Sequence, residues 1–224
     1  MLDLEKEFWD KVFDKYKRVY LNVLCRFYPS MGSTGFQERN LSVNFSKAYE
    51  TIAREEIARN GKENSETVFS WFEFQFCKKG QESENKKGQK NDNHFDCLLV
   101  NTFRKEIVFV ESKRFLNEGR KESIKKDIER ITDYVNGEMT TNSRFNGYRD
   151  YRVYGLILTD VWLNEEERKD KKKKEFYRSF EGGTAFGEGE YSVLDVPERG
   201  KKIEGVEKEE YALLSFLWTV ELNR

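Results

Sequence analysis

Histidine is nearly absent from this sequence of 224 residues, which contains only His94. Metal sites that need two histidines, such as the His-Glu-x-x-His motif, are therefore excluded. A Ser-His-Asp triad is disfavoured, because His94 would have to serve alone and the chain has no Gly-x-Ser-x-Gly elbow. Two interpretations of His94 stay open: it lines a site, or it is a structural residue.

Cysteine is also scarce. Cys25, Cys77 and Cys97 are odd in number and widely spaced, and no Cys-x-x-Cys pair occurs, which disfavours a zinc finger. Because Cys25 and Cys97 fall in apolar patterns, we expect buried free thiols rather than disulfides, as in a reducing compartment.

Long hydrophobic runs are missing. The longest, Tyr211 to Leu222, is far shorter than a membrane span, and the first six residues are too charged for a signal peptide. These absences predict a cytoplasmic protein with no membrane segment.

The sequence has no excess of acidic or basic residues, since 40 basic and 41 acidic side chains give a net charge of −1. A nucleic-acid partner therefore requires a local basic surface. The lysine-containing segment 78–93 and the four consecutive lysines at 171–174 are either solvated or part of such a surface.

The remaining composition indicates one α/β domain with a substantial core, since 37% of residues are hydrophobic and 15% aromatic. Apolar residues at helical spacing predict helices at residues 3–28, 45–60 and 120–136, with Asn44 or Ser46 capping the second. A further helix is predicted at 207–222, and β-favouring runs predict strands at 67–76 and 151–159.

Two short apolar runs, 93–100 and 108–113, surround the polar residues 102–105 and predict a β-hairpin. In a hairpin centred between Phe103 and Arg104, residues whose numbers sum to 207 face each other. Asp96 then lies opposite Glu111, and Lys113 shares the face of Glu111. Apolar residues flank the acids on both faces, so the acids are predicted to be buried. Because charged side chains are rarely buried without a specific role, this burial indicates a role for them.

Two opposed carboxylates repel each other, and a divalent cation converts that repulsion into a binding site. The pair Asp96 and Glu111 therefore predicts a metal centre, the alternative being a surface hairpin with scattered acids. Glu50 lies at the rim of the apolar stripe of the second helix, where it points towards the sheet end or into solvent. The third helix carries a basic flank: Arg120, Lys121, Lys125, Lys126 and Arg130.

The order helix, three strands, helix, strand resembles the PD-(D/E)XK nuclease superfamily, which has the restriction-endonuclease-like fold. The resemblance covers residues 44–160: Asp96 matches the first motif acid, and the run from Glu111 to Lys113 matches Glu-x-Lys. Glu50 matches the acid that many members carry on the preceding helix, and residues 49–61 look like that helix in the archaeal Holliday-junction resolvase branch. The residue before Asp96 is Phe95, where the motif name has proline.

The resemblance implies a single domain, 1–224, with an N-terminal helix (1–30), a catalytic core (44–160) and a C-terminal extension (161–224) of helices and loops. It implies an endonuclease that uses Mg²⁺, or Mn²⁺ in its place, on duplex DNA, dimerising to cut both strands. Asp96, Glu111 and the Ser112 carbonyl would hold the metal, with Glu50 a direct or water-mediated ligand. Lys113 would orient the attacking water, and Arg120, Lys125 and Lys126 would hold the DNA backbone.

Three other interpretations stay open. One is a catalytically silent nuclease fold that binds DNA or protein. Another is an enzyme that uses a carboxylate-bound metal on a small phosphate ester, for which a closed pocket is expected instead of an open basic cleft. The third is an interaction protein that oligomerises through its long N-terminal helix.

Overall fold

A computed structural model describes residues 3–27, 38–75, 94–115, 119–163 and 210–220. The secondary structure in these ranges comprises three α-helices, two short 3-10 helices and five strands. In chain order the elements are α1 (Asp3–Phe27), α2 (Glu38–Arg59), β1 (Val68–Gln75), β2 (His94–Asn101), β3 (Glu106–Phe115), α3 (Gly119–Gly137), 3-10 helices at Met139–Thr141 and Ser143–Tyr148, β4 (Arg152–Leu163) and β5 (Glu210–Val220).

The strands form one mixed sheet in the order β1-β2-β3-β4-β5. The first three strands are an antiparallel meander, α3 is the crossover to the parallel strand β4, and β5 returns antiparallel to β4. The predicted α/β class, with a mixed sheet flanked by helices, is confirmed. No helix within the described ranges combines the length and apolarity needed to cross a bilayer.

Each face of the sheet has its own apolar core, because neighbouring residues along a strand point to opposite faces. On the first, the α1/α2 face, Leu99 and Val108 pack beneath the aromatic stripe of the two N-terminal helices. On the second, the α3 face, Val100 and Phe109 pack against α3 and the 3-10 helices. The hairpin β2–β3 is therefore buried on both sides, as predicted.

The C-terminal helix predicted at 207–222 is wrong, because the described part of this segment, Glu210–Val220, is strand β5. The spacing of Tyr211, Leu214 and Trp218 fits a helix, but a nearly continuous apolar run also fits a strand that is buried on both faces. Leu217 packs into the core of the α1/α2 face, whereas Trp218 packs on the α3 face. A Cβ added to Gly155 of β4 would lie 2.1 Å from the Trp218 ring, so only glycine fits beneath it.

The start predicted for the second helix is also wrong, since α2 begins at Glu38 rather than Phe45. Neither Asn44 nor Ser46 is a cap. The Ser46 hydroxyl instead donates to the Val43 carbonyl, 2.9 Å away, which satisfies it inside the helix. The buried Leu41 extends the apolar stripe one turn further towards the N-terminus.

A buried charge network lies at the turn end of β3. Glu106 has no exposed surface, and its carboxylate accepts hydrogen bonds from Tyr49 (3.2 Å), Arg104 (2.9 Å) and Arg152 (3.2 Å). Arg104 also contacts Glu56 at 3.0 Å. Burial is the main cause that raises the Glu106 pKa to about 7, and the cations only partly oppose it.

Glu106 should make the protein less stable as the pH rises. Its folded pKa of about 7 lies above the ordinary value of 4.5, so its stabilising contribution is full below pH 4.5 and is lost as the pH rises through 7. The loss amounts to about 3 kcal/mol at most. Urea unfolding of the wild type and Glu106→Gln at pH 5 and pH 8 measures it. Equal pH dependence in the two proteins would contradict this assignment.

Candidate functional site

The predicted hairpin register is confirmed. The five paired positions, from Cys97–Val110 to Asn101–Glu106, all sum to 207, and residues 102–105 form the turn. Continuing the register by one step places Asp96 opposite Glu111. The regular ladder ends one residue earlier, however, at Cys97.

A break in the strands explains why the ladder stops there. Phe72 and Phe74 are two residues apart yet pack on opposite faces of the sheet, as do Phe95 and Cys97. Between the first two lies Glu73, whose φ of +53° is in the left-handed region. The β1–β2 pairing omits this position and its register partner Asp96. In both strands the alternation of side chains between the two faces is therefore interrupted at this position.

At this break the Asp96 side chain bonds to the backbone of β3. Its Oδ2 accepts a hydrogen bond from the Ser112 N–H, at 2.7 Å. Ser112 is the middle residue of the run from Glu111 to Lys113, and it is buried. Asp96 is therefore attached to the centre of the Glu-x-Lys run by a charge-assisted hydrogen bond.

Glu111 is a carboxylate in the interior, with 2% of its surface exposed. Its partner from α3 is Arg130, whose guanidinium donates to Glu111 Oε1. Burial raises the pKa of Glu111 well above its usual value, and the negative charge of Asp96 raises it further. Asp96 and Glu111 are thus close enough to repel each other, as the hairpin register predicted.

Lys113 points to α3 as well, which confirms that it shares a face with Glu111. Its Nζ lies 3.4 Å from Asp127 Oδ2, and Asp127 Oδ1 lies 3.0 Å from Arg130. The Arg130 guanidinium also lies 5.6 Å from the centre of the Phe95 ring. Two positions about one turn apart on α3, Asp127 and Arg130, therefore hold both charged residues of the Glu-x-Lys run.

Asp127 was not singled out from the sequence, although a signal was available. It follows Ile124 by three residues and precedes Ile131 by four, so helical periodicity places its carboxylate on the buried stripe of α3. Asp127 is 6% exposed. An acid on an apolar helix face indicates a partner on the surface that the helix covers.

Glu50 lies on α2, half-buried at the edge of its apolar stripe, as predicted. Its carboxylate accepts hydrogen bonds from the Ser70 hydroxyl and from Arg54, the latter at 3.3 Å. Glu50 and Asp96 both raise the pKa of the Cys97 thiol, although burial is the larger cause, so both acids lie near this residue. Among the described residues, however, no three His, Cys, Asp or Glu side chains are placed to hold one metal ion. Glu50 is therefore not gathered with Asp96 and Glu111.

The predicted DNA-contacting residues are only partly described. Lys126 is exposed, and Lys125 pairs with the exposed Glu122 at 3.2 Å. The side chain of Arg120 lies outside the described residues, as do the segment 78–93 and Lys171 to Lys174.

The remaining residues singled out from the sequence are His94 and the three cysteines. His94 Nε2 lies 3.2 Å from the Glu73 carboxylate, two residues from Asp96 along β2. Cys97 is a buried free thiol, as expected, whereas the side chains of Cys25 and Cys77 are not described.

The residues at the β2–β3 end carry a negative net charge, although no three His, Cys, Asp or Glu side chains of the described ranges are placed to hold one metal ion. Asp96, Glu111 and Asp127 supply three acids against two bases, Lys113 and Arg130, which leaves a formal charge of −1 when all are ionised. Burial is the main cause of the raised Glu111 pKa, and only the smaller part that comes from repulsion by Asp96 is of the kind that a divalent cation relieves. Mg²⁺ accepts one or two carboxylates and completes its shell with water and substrate oxygens.

The chain was compared with protein-family models, with curated proteins and with solved structures, and none of them matches it.

Proposed function

We propose that the protein is a Mg²⁺-dependent DNA endonuclease of the PD-(D/E)XK type, with Mn²⁺ accepted in place of Mg²⁺. The observation that carries the proposal is the arrangement of Asp96, Glu111 and Lys113. Asp96 is bonded to the backbone within the Glu-x-Lys run, and it lies close enough to Glu111 to raise that acid's pKa. A purely structural hairpin has no need for two repelling acids beside a lysine at a strand break.

In this proposal Asp96 and Glu111 are the direct ligands, and the Ser112 carbonyl is the third protein oxygen. Glu50 acts through water, because its carboxylate is directed to Ser70 and Arg54. A cation bound here would polarise the scissile phosphate and lower the pKa of a water molecule.

Lys113 orients the attacking water and stabilises the negative charge that grows on the phosphate. Asp127 keeps the ammonium group of Lys113 in place, at 3.4 Å. Arg130 neutralises part of the Glu111 charge and so limits the cost of ionising a buried acid. Arg120, Lys125 and Lys126 would hold the backbone of duplex DNA, and a homodimer would cut both strands.

The proposal is tested by cleavage of linear, supercoiled and branched DNA over a titration of Mg²⁺ or Mn²⁺. We expect discrete products that require the metal and disappear in Asp96→Ala. Circular dichroism shows whether the variant is folded, since it loses the bond to Ser112. No cleavage of any of these DNAs by folded wild-type protein at saturating metal would contradict the proposal.

A second candidate is a catalytically silent nuclease fold that binds DNA or protein. One observation favours it: Glu111 already has a protein cation, Arg130, as its partner. In that case the network of Asp96, Glu111, Asp127, Lys113 and Arg130 would be structural. The silent module predicts that Mg²⁺ does not raise the melting temperature, whereas the nuclease predicts stabilisation by the bound ion.

A further inference from the structure

Two large aromatic side chains on β1 are exposed to solvent. Phe69 is 36% exposed and Trp71 is 61% exposed. Their register partners on β2 are Val100 and Leu98, which belong to the core of the α3 face. Paired residues share a face, so Phe69 and Trp71 lie on the α3 face, the face to which Glu111 and Lys113 also point.

These aromatics line a cavity of about 530 Å³, a volume typical of sites for small organic groups. Phe145 and Tyr148 line it as well, together with Leu98 and Val100. The cavity is thus formed by aromatic and aliphatic side chains from two strands and a 3-10 helix.

One cation in the cavity has no counter-charge. Arg144 lines it, and within the described part of the chain its guanidinium makes no hydrogen bond or ion pair; only its backbone N–H is bonded, to Asn142. Glu73, the acid in the lining, is paired with Arg39 at 3.9 Å, and His94 Nε2 lies 3.2 Å from its carboxylate. The charge that remains for a ligand is therefore positive.

We propose that this cavity binds an unpaired nucleobase, which stacks on Trp71 while Arg144 contacts the phosphate of the same strand. Aromatic side chains beside an arginine are the set that proteins use for single-stranded nucleic acid, because every base offers a flat face and every nucleotide a negative charge. A ligand with no negative charge would leave Arg144 unused.

The cavity lies close to the proposed catalytic residues. Trp71 pairs with Leu98, two residues along β2 from Asp96, and Phe69 pairs with Val100, four residues away. At 3.3–3.4 Å per residue, these rows are about 7 Å and 13 Å from the Asp96 row. That separation equals about two to four stacked base steps. The inference rests on the proposed nuclease function and deepens it, because it assigns to the substrate an unpaired base near the scissile phosphate.

The test is binding of a fluorescein-labelled single-stranded DNA, measured by anisotropy in EDTA so that binding is separated from catalysis. Trp71→Ala should weaken binding by about 5- to 150-fold, the range for loss of one stacked base. Trp71→Phe should recover most of the affinity. Arg144→Gln should weaken binding and reduce the salt dependence by about one phosphate contact.

Arg149→Gln is the matched control, since Arg149 is exposed, follows the same 3-10 helix and contacts Asn146, but does not line the cavity. It should leave the affinity unchanged. Equal affinity in wild type and Trp71→Ala overturns the inference. So does capture of an extended peptide along β1 without any affinity for single-stranded DNA.

The two proposals fail in different ways. If the wild-type protein binds single-stranded DNA through Trp71 but shows no metal-dependent cleavage, the nuclease proposal is rejected and the base pocket is kept. Metal-dependent cleavage of duplex DNA that is unaffected by Trp71→Ala, with no single-strand binding, would reject the pocket and keep the nuclease.

Discussion

Replacing Lys113 with alanine should lower the rate of metal-dependent DNA cleavage by about 10²- to 10³-fold, the usual cost of removing one group that stabilises charge in a transition state. The fold should survive, because Asp127 keeps its second partner, Arg130, at 3.0 Å and is not left as an isolated buried charge. Single-turnover cleavage at saturating Mg²⁺ measures the rate, and anisotropy with the same duplex measures binding.

Lys62→Ala is the matched control for this variant, since Lys62 is an exposed lysine in the connection between α2 and β1. It should cleave at the wild-type rate. If Lys113→Ala also cleaves normally, Lys113 has no part in the mechanism. If Lys113→Ala loses duplex binding as much as cleavage, its role is in binding rather than in the chemical step.

Replacing Arg104 with methionine should lower the free energy of unfolding at pH 8 by about 3–5 kcal/mol, the cost of removing one partner from a buried ion pair. Arg104 contacts the fully buried Glu106 at 2.9 Å and stacks 4.0 Å from the centre of the Phe8 ring. Without it, Glu106 keeps only Tyr49 and the half-buried Arg152. The loss should shrink at pH 5, where Glu106 is protonated, and urea unfolding at both pH values measures it.

The double variant Arg104→Met, Glu106→Leu separates loss of the pair from loss of packing. Removing both charges should recover most of the stability at pH 8, because no buried charge is then left alone. Lys105→Met is the control, since this neighbouring cation pairs with Asp150 at the surface, and its unfolding midpoint should not change. A double variant as unstable as the sum of the two single variants would show that the charges do not interact.

The register of the hairpin is predictable from the sequence because the information that sets it is local. Two apolar strands and a four-residue turn fix the register, and the register fixes which residues oppose each other. The helix predicted for the C-terminal segment is wrong for the opposite reason. The pattern of residues 207–222 suits a helix or a buried strand, and the choice is made by pairing with β4, far away in the sequence.

The details of the site depend on tertiary contacts that no short pattern encodes. The left-handed conformation of Glu73 has no sequence marker, since glycine is the residue expected there. Arg130 and Asp127 contact the Glu-x-Lys run only when the crossover helix α3 packs on the sheet in one orientation about its own axis. Glu50 lies at the edge of the apolar stripe of α2, as its spacing predicts, but no sequence pattern indicates its bonds to Ser70 and Arg54.

The late arrival of β5 has a consequence for synthesis of the chain. Residues 164–209, 46 in number, separate β4 from β5. At 5–20 residues per second, a ribosome needs roughly 2–9 s to make them. During this interval the outer edge of β4 is without its partner, and the segment from Val153 to Leu158 is almost wholly apolar. An unpaired apolar edge can join the edge of another nascent chain. We therefore expect the yield of correctly folded protein to depend on translation speed and on chaperones that cover β4 until β5 emerges.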